Sequence, residues 1–135
     1  MFADGQPDQI MGAFKVEAGI APLVAALNAR GVVTSASCEG HTTDALARVY
    51  VLFYGCKAGQ GVVSHYLSNR HRLYLPWKMQ RSIVSDRLRY TWSLDLWRVK
   101  SVLFFLPEKF AWSIIKYLQS KDVQQLSKLT LKVAI

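Results

Sequence analysis

Along the chain, segments whose apolar residues recur at helical spacing alternate with segments that alternate every second residue, and this order predicts the elements. Residues 20–31, "IAPLVAALNARG", put Ile20, Leu23, Val24 and Leu27 on one side of a 3.6-residue period. With Pro22 near the first turn and Gly31 as a stop, they predict a first helix. "VVTSASC" (32–38) and "RVYVLFY" (48–54) are rich in β-branched and aromatic residues and read as strands. About nine residues separate them, whereas a parallel crossover needs about a dozen or more, so they are expected to pair antiparallel.

"GQGVVSHYLSN" (59–69) gathers Val62, Val63, Tyr66 and Leu67 on one side of a second helix. From 70 to 87 the pattern weakens into a basic, aromatic connection, expected to be loop with at most one turn of helix. "LRYTWSLDLW" (88–97) then alternates cleanly, with Leu88, Tyr90, Trp92, Leu94 and Leu96 on one face. "SVLFFLP" (101–107) reads as a further strand ended by Pro107. "EKFAWSIIKYLQSK" (108–121) spaces Phe110, Ile114, Ile115 and Leu118 as a helix, and "KLTLKVAI" (128–135) alternates as a last strand. The expected fold is α+β: a single-layer, largely antiparallel sheet with about three helices on one face, in the order α-β-β-α-β-β-α.

A length of 135 residues with 51% hydrophobic content suits one packed domain and argues against disorder. Residues 1–18 read as a polar, flexible lead-in and 19–135 as the domain. No apolar run reaches the 18 residues that a membrane-spanning helix needs, so no membrane partner is expected. The acidic N-terminus does not resemble a secretory signal. The two cysteines fit reduced thiols in a cytoplasmic setting, and the hairpin puts Cys38 and Cys56 at opposite ends, too far apart for a disulfide.

The net charge of +8 is uneven. Residues 70–100 hold eight cations against two acids, a net of +6, while residues 1–69 sum to −1. Arg70, Arg72, Lys78, Arg81, Arg87 and Arg89 flank the expected loop, and Trp77 and Trp97 are the aromatic residues there expected to be on the surface. Tyr90 and Trp92 share the apolar face of their strand and are expected in the core. Cations that neutralise phosphate, beside rings on which bases stack, make a candidate surface for nucleic acid or for an acidic protein.

The other candidate is Ser37-Cys38-Glu39-Gly40-His41. A Cys-x-x-His corner suits a metal, but the remaining Cys56, His65 and His71 are scattered singly, so no metal is expected. A thiol nucleophile would need His41 as base and a lowered pKa, against which Glu39 works. As a binding loop, Gly40 would let the backbone turn at the strand end and expose its amides, with Ser37, Glu39 and His41 as polar contacts. The plain alternative is a turn with a small buried thiol.

"LVAALNARGVVTSASCEGH" resembles the Leu-Val-x-x-(Ile/Leu)-Asn and Thr-(Thr/Ser)-x-Ser-Cys-x-Gly signature of the wybutosine-pathway tRNA methyltransferases. That resemblance implies an S-adenosylmethionine-dependent RNA-modifying enzyme with Ser37, Cys38 and Gly40 at the cofactor loop. The family has Ser-Cys-Ser-Gly-Arg there, so His41 stands in place of an arginine and Glu39 in place of a serine. The same stretch is similar to small proteins of bacterial mobile elements that share a helix, Ser-Cys-Glu-Gly-His, strand pattern. With no complete catalytic set, the favoured expectation is a small basic, non-enzymatic binding protein of phage or mobile-element type without a cofactor. It would act on nucleic acid or on a nucleic-acid-handling complex, including one of host defence.

Overall fold

Pro22 opens and Gly31 closes the first helix, α1 (Ala21–Ala29). Gly31 takes φ +76°, its N–H bonds to the Asn28 carbonyl and that of Val32 to the Leu27 carbonyl, a paired cap that only a left-handed residue permits. The computed structural model of the protein describes residues 9–11, 14–41 and 48–133. Before α1, β1 (Gln9–Met11) and β2 (Phe14–Val16) pair antiparallel, and Val16 and Ala18 are buried. The end of the expected lead-in is therefore anchored, with Val16 part of the hydrophobic core.

The main sheet has four antiparallel strands in the order β3-β4-β6-β5. β3 (Thr34–Cys38) and β4 (Arg48–Tyr54) form the expected hairpin, with Cys38 opposite Tyr50. α2 (Lys57–Asn69) follows, capped by the Cys56 sulfur accepting from the Gly59 N–H. A 3-10 turn at Arg70–Arg72 leads to β5 (Lys78–Val84) and β6 (Arg87–Asp95). α3 (Leu96–Val102) and the long α4 (Glu108–Leu131) complete the chain. Both cysteines are free.

The α+β class matches expectation and the order α-β-β-α-β-β-α is broadly kept, with a short hairpin before it and four helices rather than about three, but three segments differ. The stretch 78–87 is not loop: β5 pairs with β6 across a two-residue turn, Ser85 and Asp86, both at positive φ, which suits the twist of a hairpin. The segment 101–107 is not a strand. Asp95 accepts the Arg98 N–H, ends β6 and starts α3 at Leu96, so the apolar run lies in a helix and the turn after it. The tail is not a strand up to Val133, since α4 runs to Leu131 with Leu126 and Leu129 buried. Ala134 and Ile135 lie outside the described residues.

All four helices lie in one layer against one face of the sheet. Val49, Val51 and Phe53 of β4 stand opposite Leu94, Trp92 and Tyr90 of β6, and all six are buried. Trp92 packs against Phe53 (ring centroids 5.1 Å apart) and against Tyr66 of α2 (5.5 Å). The alternation of β4 and β6 sends every other side chain to the opposite face, on which no described helix packs.

Candidate functional site

The corner at the end of β3 is built from two segments distant in sequence. Gly40 takes φ +83° and is buried; a Cβ there would lie 2.9 Å from Leu96 Cδ1 and 3.0 Å from Val49 Cγ2, so the tight turn needs glycine. The Glu39 N–H donates to Glu17 Oε1 (3.0 Å) and the Gly19 N–H to Glu39 Oε2 (2.8 Å), interlocking the two segments. The Gly40 N–H donates to Cys38 Sγ at 3.4 Å. From α4, Gln119 Nε2 donates to the Glu39 carbonyl (2.7 Å) and Lys116 Nζ to that of Gly40 (2.9 Å).

The turn expected at Gly40 is present. The amides of Glu39 and Gly40, however, are spent inside the protein, so they are not presented to a ligand. Ser37 is half-buried within β3, on the same face of the sheet as Val51. Cys38 and Glu39 are half-buried and His41 is exposed.

Glu17, absent from the sequence reading, is the centre of the corner. Its Oε2 lies 2.7 Å from His41 Nε2, and the ligating atoms of Glu17, Cys38 and His41 all fall within 4.8 Å of one another. Desolvation raises the Cys38 pKa above its ordinary value, and the Glu17 and Glu39 carboxylates raise it further against the opposing bond from Gly40. Burial and the two carboxylates thus disfavour the thiolate, while Glu17 contacts one of the two imidazole nitrogens, Nε2.

The expected binding cations cluster about the opposite edge of the sheet. β5 is an edge strand, and Arg70, Arg72, Lys78, Arg81 and Arg87 are exposed along it and its connections. Among the described residues, no carboxylate forms an ion pair with any of them or with Arg89. Arg70, Trp77 and Lys78 line one cavity of about 310 Å³ with Tyr66 and Met79. Strand alternation puts Lys78, Arg87 and Arg89 on the uncovered face and Arg81 on the helix side of the edge.

The two tryptophans are not platforms. Trp77 is 7% exposed, because its Nε1–H donates to Asp122 Oδ2 at 2.9 Å. Asp122, fully buried on α4, also accepts the Tyr74 and Leu75 N–H groups at 2.8 and 2.9 Å, so burying Trp77 completes the partners of a carboxylate. Trp97 is half-buried and meets Trp112 of α4 edge-on, with ring centroids 5.2 Å apart.

The rings on the uncovered face are Tyr50 and Tyr54, which the sequence reading did not single out. Both are half-buried on β4, with Leu52 between them, on the side opposite Val49, Val51 and Phe53. Arg89 lies over the Tyr54 ring, its guanidinium carbon 4.9 Å from the centroid, and its Nη2 donates to the Tyr54 hydroxyl at 3.4 Å. The Arg87 guanidinium carbon lies 6.0 Å from the same centroid. The available signal was the alternation of "RVYVLFY", whose second face is as regular as the first.

Fold and site define a class: a small basic α+β protein with a four-stranded antiparallel sheet and, among the described residues, no helix packed on one of its faces. Comparison with protein-family models, with curated proteins and with solved structures finds no match. Among the described residues no helix is long and apolar enough to cross a membrane.

Proposed function

We propose that the protein binds single-stranded nucleic acid across the uncovered face of its sheet and acts by occupancy rather than by turnover. The observation that carries this reading is the stack of Arg89 on Tyr54, on a face with no helical cover and with Lys78 and Arg87 beside it. A flat sheet presenting rings between cations is a form in which unstacked bases find π-faces and phosphates find charge. Tyr50 and Tyr54 lie four residues apart, about 13 Å along the strand, which leaves room for a base over Leu52 between them. Double-stranded nucleic acid fits this surface less well, because its bases offer no free face to stack.

Phosphates would be held by Lys78, Arg87 and Arg89, with Arg70, Arg72 and Arg81 extending the track along the edge. For about four phosphates neutralised on a single strand, log affinity falls against log salt with a slope of about −3. Fluorescence anisotropy with labelled single-stranded RNA, single-stranded DNA and duplex tests this. Binding to single strands that exceeds binding to duplex and weakens with salt supports it. No detectable binding at low salt overturns it, and leaves an acidic protein surface as the class of partner that the cations fit.

A further inference from the structure

We infer that Glu17, Cys38 and His41 form a binding site for one divalent transition-metal ion of the zinc class, with three protein ligands and a fourth position open to water. This does not rest on the nucleic-acid reading: none of the three ligands is among the residues proposed there, although Cys38 stands opposite Tyr50 in the sheet. Three donor types, a carboxylate, a thiol and an imidazole, converge from two segments more than 20 residues apart, with their ligating atoms within 4.8 Å of one another. Tetrahedral zinc with bonds of about 2.0–2.3 Å sets its ligands roughly 3.5 Å apart. The His41–Glu17 pair, at 2.7 Å, would open to that spacing around an ion, and every pair of ligating atoms already lies within 4.8 Å.

The outer partners are those of a ligand cage. The Gly40 N–H points at Cys38 Sγ and favours sulfur in its anionic form. The Glu39 N–H donates to Glu17 Oε1, leaving Oε2 toward His41, and the Glu39 carboxylate accepts the Gly19 N–H and so ties down the segment that carries Glu17. Lys116 and Gln119 hold the carbonyls of the turn against α4. Outer contacts of this kind fix ligand orientation before a metal arrives. His41 is exposed, which gives the ion a route in.

The charges balance as well. On binding, the thiol loses its proton to solvent, the imidazole binds in its neutral form, and the 2.7 Å contact between His41 and Glu17 is replaced by two bonds to the ion. One thiolate and one carboxylate then neutralise a dication. A mixed sulfur, nitrogen and oxygen set suits zinc or its cobalt substitute, and does not suit magnesium or calcium, which take oxygen ligands.

The test uses the full-length chain without a histidine tag, stripped with chelator and titrated with cobalt(II). The expected result is one cobalt per chain, with a thiolate-to-cobalt charge-transfer band and the visible bands of tetrahedral cobalt, both removed by zinc. Cys38→Ser abolishes the charge-transfer band, Glu17→Gln and His41→Asn each weaken zinc binding by at least about tenfold, and Cys56→Ser changes neither. Should Cys38→Ser fail to fold, alkylation of the unmodified protein reads the same site: zinc protects Cys38 from iodoacetamide and leaves Cys56 reactive. Absence of the cobalt bands, failure of zinc to protect Cys38, or stoichiometric binding that survives Cys38→Ser overturns the assignment.

Discussion

Two buried or half-buried side chains carry most of the argument at the residue scale, and neither is visible as a motif. Asp122 gathers the Tyr74 and Leu75 amides and the Trp77 indole, thereby fixing the segment that leads into β5. Asp122→Ala leaves two buried donors and one part-buried donor without an acceptor and should cost about 2–4 kcal/mol, measured by urea unfolding. Burial raises the Asp122 pKa above its ordinary value near 3.8, against the lowering effect of its three donors. A raised carboxyl pKa means that the folded protein binds the proton more tightly than the unfolded chain. The contribution of this titration is therefore full below the unfolded value and is lost as pH rises through the higher folded one. The stability of the protein relative to Asp122→Asn should accordingly decline as pH rises from about 3 toward neutrality, and a flat difference would contradict the burial argument. Tyr54 makes the complementary prediction for binding. Tyr54→Ala should weaken single-strand affinity by about 1–3 kcal/mol, read by anisotropy, while leaving the sheet core intact because Tyr54 lies on the uncovered face. Glu17 and Asp122 were illegible in the sequence for one reason: each acts across more than 20 residues of chain, and no local spacing links it to its partners. The Gly40 turn was legible, because positive φ is a property of the residue itself.

The elements divide in the same way, between those fixed by strong local periodicity and those decided by a cap or a partner. α1, the β3–β4 hairpin, α2 and β6 follow from their apolar spacing. β5 does not, since an edge strand buries little of itself and its charged side chains mask the alternation. The run at 101–107 shows the limit of periodicity, because a short apolar stretch fits strand and helix alike and the deciding signal is the carboxylate of Asp95 six residues upstream. Asp95→Ala should remove that cap at a cost of about 1 kcal/mol and fray the first turn of α3, measured by thermal unfolding and by amide exchange at Trp97 and Arg98. An unchanged midpoint with unchanged exchange would show that α3 is held by Leu96 alone. The turn after α3 leaves Phe104 and Phe105 exposed, which a strand in the sheet would have covered.

For the whole molecule, the question is whether the excess of positive charge acts as a surface or only as a total. Sequence counts give residues 70–100 a net charge of +6, and the fold divides their cations: Lys78, Arg87 and Arg89 lie on the sheet face away from the helices, Arg81 on the helix side of the edge strand, Arg70 and Arg72 in the turn after α2, and Arg98 and Lys100 on α3. The aromatic partners changed on folding: Trp77 and Trp97 turned inward, and Tyr50 and Tyr54 took the open side. The most direct measurement compares two variants of equal net charge. Lys78→Glu with Arg87→Glu reverses the uncovered face, and Lys109→Glu with Lys128→Glu reverses exposed positions on α4. If the sheet face is the binding surface, the first pair abolishes single-strand binding at moderate salt and flattens the salt slope, while the second stays within a few-fold of the unmodified protein. Equal losses in the two variants would contradict the account, because binding would then follow net charge and not the face.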